Sequence, residues 1–198
     1  MHECIDRLLS SKQQQFYISG KREIFEGLER AGHTYIVSDL YAQGFNPVMS
    51  EKEYLREGFY RLDDKVAPDI VKEQEKIDQS DVIVFIYPDF WTASPAMLEG
   101  WFQRVWTYGY AYGENPKMKT LEKVIFLITM GGSLNDDIRR TQLDAMKTVM
   151  VGDRIKDRAK ECKVYAFDRM TRGYGNEKNR EKRISEFLQK AYDLALNL

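Results

Sequence analysis

The chain has 198 residues, 43% of them hydrophobic and 13% aromatic, with a formal net charge of −1. That length suits a single domain, residues 1–198, with a substantial buried core. The balanced charge excludes bulk attraction to nucleic acid or an anionic membrane, and no apolar run reaches the roughly eighteen residues of a membrane span.

The two cysteines, Cys4 and Cys162, have neither metal-ligand spacing nor the pattern of a disulfide framework. With no signal-peptide pattern, a soluble protein of the reducing cytoplasm is expected.

Helical and extended patterns alternate along the chain. "ISGKREIFEGLERAGH" puts Ile18, Ile24, Phe25 and Leu28 near one helical face and predicts a stop at Gly32. "TYIVSDL" follows as a short predicted strand. Ser50 and Glu53 in "SEKEYLREG" form a capping-box pattern, so a helix opens there. "APDIVKEQEKIDQSD" predicts another, with Pro68 and Asp69 in its first turn. "DVIVFIYP" and "KVIFLITM" are nearly continuous apolar runs, as expected of parallel strands buried on both faces. "CKVYAFD" predicts a fourth strand. A closing amphipathic helix carries Ile184, Phe187, Leu188, Ala191 and Ala195 on one face.

This alternation predicts a doubly wound α/β parallel sheet flanked by helices, in which ligands sit beyond the carboxyl ends of the strands. The strands near Val82–Tyr87 and Val124–Thr129 are expected to be neighbours, with their following loops at one edge. In the first loop, Pro88 ends the strand, and Ser94-Pro95 predicts a helix start with serine as N-cap and proline at N1. Trp91 lies between these breaks, where it can either pack or stack on a ligand. In the second loop, Gly131 and Gly132 permit close backbone approach to a ligand, or simply turn the chain.

After Pro95, Met97, Leu98, Trp101, Phe102 and Val105 recur at helical spacing, the pattern of a core or a subunit interface. The helix from Pro95 to Thr107 carries more large aromatics than one side of a small core needs, so a two-fold homodimer is expected. "TYGYAYG" places Tyr108, Tyr110 and Tyr112 where they can wall a pocket.

The stretch "YPDFWTASPAMLEGWFQRVWTYGYAYG", with "FLITMGGS" and "GLERAGHTYIVSDLYAQGFNPV", resembles the NAD(P)H:quinone oxidoreductase family of flavodoxin-like flavoproteins over most of residues 16–135. The resemblance implies a flavodoxin-like fold and a flavin, FAD or FMN. The flavin ring would lie against the backbone of Pro88, Asp89, Phe90 and Trp91, with Thr129, Met130, Gly131 and Gly132 at its polar edge. It further implies NADH or NADPH as donor, and a quinone acceptor in a pocket walled by Trp91, Tyr110 and Tyr112, commonly at a homodimer interface.

Two departures from the family pattern stand out. At the family's Ser-Phe-Asn phosphate element, this chain has Gln15, Phe16 and Tyr17, and its histidine position holds Ser10. The first strand would be "HECIDRLL", whose Glu3, Asp6 and Arg7 do not suit a strand buried on both faces. The N-terminus is therefore expected to be rearranged or to lack that strand; Ser10, Ser11 and Lys12 remain as possible phosphate donors. After the glycine pair, Asp137 and Leu143 stand where several family members have tyrosine and histidine, and an ionised aspartate cannot donate a hydrogen bond. Arg139 or Arg140 is an alternative source of positive charge. No catalytic side chain is assigned.

The expected function is a flavin-dependent NAD(P)H oxidoreductase reducing quinones or similar two-electron acceptors by ping-pong turnover. The alternative is a non-catalytic flavodoxin-like interaction or regulatory protein with weakened flavin binding.

Overall fold

A computed structural model describes residues 22–173 and 175–198. Among the described residues, contacts divide the chain into two compact units: residues 22–35, 129–136 and 167–198, and residues 36–128 and 137–166. The expectations for Gln15, Phe16, Tyr17, Ser10, Ser11, Lys12, the first strand, Ile18 and Cys4 all lie outside the described residues.

The larger unit is built on strands β1 (Val82–Pro88), β2 (Leu121–Thr129) and β3 (Ala159–Phe167), in the order β1-β2-β3. The Glu122 N–H donates to the Asp81 carbonyl at 2.9 Å and the Leu121 N–H to the Arg158 carbonyl at 2.8 Å. The chain thus enters all three strands from one edge, and the sheet is parallel. The two apolar runs are neighbours, as their sequence predicts. Only β2 is continuously buried, from Val124 to Ile128; β1 buries Phe85 and Tyr87 and leaves its other side chains half-covered. The central position in the ladder accounts for the difference.

The helices of this unit largely follow their sequence signals. In α2 (Glu51–Gly58) the capping box is complete, with Ser50 and Glu53 each satisfying the other's backbone N–H. In α3 (Pro68–Asp78) proline stands in the first turn, where it sacrifices no helical bond. The start of α4 (Ala96–Val105) differs from expectation: its N-cap is Pro95 and not Ser94. The Ser94 hydroxyl and N–H are both drawn to Glu99 Oε1, at 2.5 and 3.2 Å, so the serine is unable to cap.

"TYIVSDL" is also corrected, for residues 34–40 form no strand. No described strand pairs with them, and Ile36 and Val37 stay exposed. Between β2 and β3 lie two elements that sequence periodicity did not single out, α5 (Asp137–Lys147) and a π-helix (Thr148–Ile155). Their buried residues Leu143, Met146, Met150 and Ile155 are spaced three, four, then five apart. The widening matches the i→i+5 bonding of a π-helix and breaks the α-helical period.

The aromatics of α4 pack inward. Phe85 of β1 stacks on Phe126 of β2 (centroids 5.1 Å, 14°) and meets Trp101 and Phe102 of α4 at 5.6 and 5.1 Å. Trp106 closes the cluster against both α4 rings. The surplus expected to face a second copy is therefore consumed within the unit, because edge-to-face and offset packing accommodates five rings in one core.

Two buried charged groups tie α4 to its surroundings. Glu73 of α3 accepts from Trp101 Nε1 (2.8 Å), Ser38 Oγ (2.7 Å), Gln43 Nε2 (3.1 Å) and Lys76 Nζ (2.6 Å). Arg104 lies over the Phe45 ring and donates to Glu53, Asp69 and the Asn46 carbonyl. Between these ties, α4 approaches the Pro47 backbone so closely that a Cβ on Gly100 would stand 2.1 Å from its carbonyl oxygen.

In the smaller unit, helix α1 (residues 22–31) buries Ile24 and Leu28 and ends at Gly32 as predicted. Gly32 takes a φ of 77°, and the His33 N–H reaches back to the Leu28 carbonyl, a Schellman closure. Gly27 packs against the last helix, α6 (Arg180–Leu196), where a Cβ would meet the Tyr192 carbonyl at 2.7 Å. Phe187, Ala191 and Ala195 form the buried face of α6, and Phe187 meets Phe167 edge-on at 4.6 Å.

Gly100→Ala tests the α4 contact. Glycine-to-alanine in a helix ordinarily stabilises by up to about 1 kcal/mol; here the clash reverses the sign, and denaturant unfolding should show a loss of roughly 1–3 kcal/mol. Glu73 gives a pH test. Burial acts to raise its carboxyl, but hydrogen bonds from Lys76, Trp101 and Ser38 outweigh it and hold it below its ordinary value. Its stabilisation is therefore present above the unfolded-state value of about 4.3 and lost as pH falls through the lower folded value. Glu73→Gln should cost most stability near neutrality, with the gap to the unaltered protein narrowing in acid, as read by thermal unfolding across pH.

Candidate functional site

Three parallel strands direct their carboxyl ends to one edge of the sheet, the usual ligand edge of such a fold. In the larger unit β1 ends at Pro88 and α4 begins at Ala96, so a short loop must turn back from the strand end to the helix start. It does so through a two-residue hairpin. Phe90 and Ala93 pair as an antiparallel bridge, with N–H to carbonyl distances of 2.9 and 3.0 Å in the two directions. Trp91 and Thr92 form the connection at φ of 52° and 65°.

Positive φ at both central residues is the type I′ pattern, which favours Asn-Gly. A β-branched threonine there is a true outlier, and such strain persists only where the surroundings enforce it. The result is a Trp91 side chain 97% exposed. The packing alternative for this residue is thereby excluded within the described chain: the indole is held out from the core.

Asp89 sits just before the turn. Burial raises its carboxyl above the ordinary range, opposed by the nearby Thr92 backbone N–H and by the charge of Arg139. Tyr87, two residues earlier, is 3% exposed. Its hydroxyl is also raised, by burial first and then by the charge of Glu99.

The tyrosines that follow α4 divide. Tyr110 is buried, its hydroxyl fixed to Asp78 Oδ1 (2.8 Å) and the Gln74 carbonyl (3.1 Å). Its place is in the core between α3 and the loop. Tyr112 is half-buried and donates to Glu57 Oε2 at 2.8 Å, while its ring meets Tyr108 at 5.6 Å. Of the two, Tyr112 keeps a face near the surface.

In the smaller unit the segment Thr129–Gly132 is braced by the chain after β3. The Met130 N–H donates to the Phe167 carbonyl (2.8 Å), and the carbonyls of Met130, Gly131 and Gly132 accept from Met170 N–H, Asn176 Nδ2 and Arg169 N–H. With those carbonyls taken, the N–H groups of Gly131 and Gly132 are what this loop can present to a ligand. A Cβ on Gly131 would lie 3.1 Å from Thr171 Oγ1, itself buried without a partner among the described residues. Asn176, 4% exposed, was not singled out from sequence, since one asparagine in a polar stretch carries no pattern.

Asp137 and Leu143 supply no donor. Leu143 is buried in the core, and exposed Asp137 pairs with Arg140. Arg139 is the cation whose charge Asp89 feels, and it donates to Gln142 at 2.9 Å. The described residues hold no group of three or more His, Cys, Asp or Glu side chains placed to bind a metal, and no described helix is long and apolar enough to cross a membrane.

The parallel sheet and its loops define a flavodoxin-like protein, and the flavodoxin-like fold family matches residues 9–154. Within that fold the chain belongs to the NAD(P)H:quinone oxidoreductase family. It is 34% identical to the NAD(P)H:quinone oxidoreductase of Methanothermobacter marburgensis, with a TM-score of 0.82, over 92% of this chain and 88% of that one. It is also 35% identical over 145 residues to NAD(P)H dehydrogenase [quinone] 1 of Cavia porcellus, covering 64% of this chain and 52% of that protein. Ribosyldihydronicotinamide dehydrogenase [quinone] of Rattus norvegicus is 34% identical over 112 residues, 50% of this chain and 48% of that protein. The chain spans about half the length of these two curated relatives.

Thr92→Gly tests the strain. Glycine adopts positive φ freely, so the substitution should raise stability by roughly 1 kcal/mol in denaturant unfolding. It should also loosen the turn, read as faster depolarisation of Trp91 fluorescence.

Proposed function

We propose that this chain is a flavin-dependent NAD(P)H oxidoreductase that reduces quinones or similar two-electron acceptors by ping-pong turnover. The observation that carries the reading is Trp91, an indole held clear of the core on a strained turn at the carboxyl edge of a parallel sheet. Strain of this kind clusters at active sites and ligand clamps.

Within its own unit, each loop offers one part of what a flat group with one polar edge requires. The backbone of Pro88, Asp89, Phe90 and Trp91 would support one face of an FAD or FMN ring. Phe90, whose N–H and carbonyl are engaged by Ala93, contributes rigidity and not a hydrogen bond. Thr129, Met130, Gly131 and Gly132 would serve the polar edge, with the Gly131 and Gly132 N–H groups as donors. When bound, the flavin supplies the hydride chemistry. The chain's part is to stack, orient and exclude water. Trp91 and Tyr112 would wall the pocket that NADH or NADPH and the acceptor use in turn. Tyr110 would act from behind by fixing the loop that carries Tyr112.

A homodimer is retained on new grounds. With the α4 rings buried, the apolar surface left exposed includes Tyr54, Phe59, Tyr60 and Leu62, on α2 and the turn after it. Contiguous exposed apolar residues mark interaction surfaces. We place the protein in the cytoplasm. The non-catalytic alternative is favoured by one observation, the lack of a donor at Asp137 and Leu143.

Visible absorption of the purified protein, before and after adding FAD or FMN, tests the proposal, and fluorescence titration refines it. Gly131→Val should weaken flavin binding tenfold or more, by about 1.4 kcal/mol, because the side chain must displace Thr171 and distort the braced loop. Lys12→Ala should change binding less. Failure of the unaltered protein to bind either flavin would remove the oxidoreductase reading and leave the interaction protein.

A further inference from the structure

The last turn of α2 carries two local costs. Glu57 stands one residue from the helix end, where the helix dipole opposes a carboxylate. Just past the C-cap Phe59, Tyr60 takes a φ of 54°. The Tyr60 and Arg61 N–H groups reach back to the Glu57 and Arg56 carbonyls at 3.3 and 2.9 Å. This is a Schellman closure, whose left-handed residue is ordinarily glycine. A bulky tyrosine there is strained, and such strain clusters at functional positions.

Both of these residues touch the loop from Tyr108 to Tyr112. Glu57 Oε2 accepts from the Tyr108 N–H at 2.7 Å and from the Tyr112 hydroxyl at 2.8 Å, so one oxygen holds both ends of the loop. Its other oxygen accepts from Arg56, which also donates to the Tyr108 carbonyl at 3.2 Å and to the Asp64 carbonyl at 3.0 Å. The Tyr60 ring lies 4.9 Å from that of Tyr108. Leu62 closes on Gly109, where a Cβ would stand 2.4 Å from its Cδ2. The Glu57 side chain is only 14% exposed, so water competes little for these bonds.

We propose that Glu57 is a positioning residue for Tyr112: by holding both ends of the loop it sets the angle of the Tyr112 ring and commits the phenol proton to the protein. The use of that ring by NAD(P)H and acceptor rests on the proposed function; the anchoring does not. A phenol has one proton to donate. Here it goes to Glu57, so Tyr112 has none left for the oxygen of a bound carbonyl. Burial first, and then the hydrogen bond to Glu57, push the hydroxyl above its ordinary range, which keeps that proton in place near neutrality. What Tyr112 offers a ligand is therefore a ring face. The acceptors such a wall selects are flat molecules held by ring contact.

Anchoring is tested on the full chain without flavin, by thermal unfolding of Tyr112→Phe, Glu57→Gln and the double variant. Each single change should lower Tm by about 2–4 °C. The double variant should lose clearly less than the sum, because the two side chains share one hydrogen bond. Additive losses, or no loss in Tyr112→Phe, would overturn the tie. If Glu57→Gln does not fold, Glu57→Asp takes its place in the cycle, since it keeps the charge beside Arg56 but withdraws it from the loop.

Positioning is tested at saturating flavin, with a benzoquinone as acceptor. Glu57→Gln and Tyr112→Phe should each raise KM for NAD(P)H and for the quinone by roughly fivefold, with kcat changed less, the mark of lost binding and not of lost chemistry. The double variant should be no worse than the poorer single. A KM raised by Tyr112→Phe alone would put the hydroxyl on the ligand and refute the role of Glu57. KM unmoved in both would overturn the positioning. Failure of the unaltered protein to bind flavin would remove the oxidoreductase reading and the Tyr112 wall with it, while the unfolding cycle still decides the anchoring.

Discussion

The packing of Phe85 between Phe126 and the rings of α4 governs much of this structure. It locks β1, β2 and α4 into one aromatic core, and so fixes both ends of the loop from Pro88 to Pro95. A loop of that length with immovable ends has few conformations available. The Phe90–Ala93 bridge narrows them further, and the positive φ of Trp91 and Thr92 is what remains. The exposed indole is thus a consequence of core packing several residues away.

The same core depends on buried charge. Trp101 can be fully covered only if its N–H finds an acceptor, and Glu73 provides one at 2.8 Å. That carboxylate must in turn be compensated, which Ser38, Gln43 and Lys76 accomplish. Arg104 repeats the arrangement at the other end of α4 with Glu53, Asp69 and Asn46. Buried ion pairs contribute little net stability, since desolvation offsets attraction, but losing one partner is costly. Their effect here is geometric: α4 can occupy only the register in which Gly100 faces Pro47.

What the sequence revealed follows from how local each signal is. The capping box of Ser50 and Glu53, the proline in the first turn of α3 and the Gly32 stop are written within a few residues, and the structure realises each. The apolar runs of β1 and β2 announced neighbouring buried strands because burial on both faces leaves no polar alternation. Signals that depend on distant partners were not legible. "TYIVSDL" has strand composition but no described strand beside it. Ser94 has a capping side chain, but Glu99, five residues on, claims it. Trp101 and Trp106 look like surplus until Trp101 is seen against Phe85, and Trp106 against Trp101 and Phe102. In the candidate site, the residue types of Trp91 and the glycine pair were readable, whereas the turn strain, the bracing by Asn176 and the burial of Tyr110 arise only in three dimensions.

The departures at Asp137 and Leu143 bear on how charge is managed at such a site. A buried leucine can neither donate nor carry charge, and an exposed aspartate paired with Arg140 is spoken for. The cation that does act locally is Arg139, close enough for Asp89 to feel it. Asp89 itself stands where burial favours its neutral form and where an N–H and a cation favour the charged one. Burial outweighs the other two, so the carboxyl stands above its ordinary range. The charge on this loop therefore comes from Asp89 itself and from Arg139 of α5, and neither Asp137 nor Leu143 adds a donor.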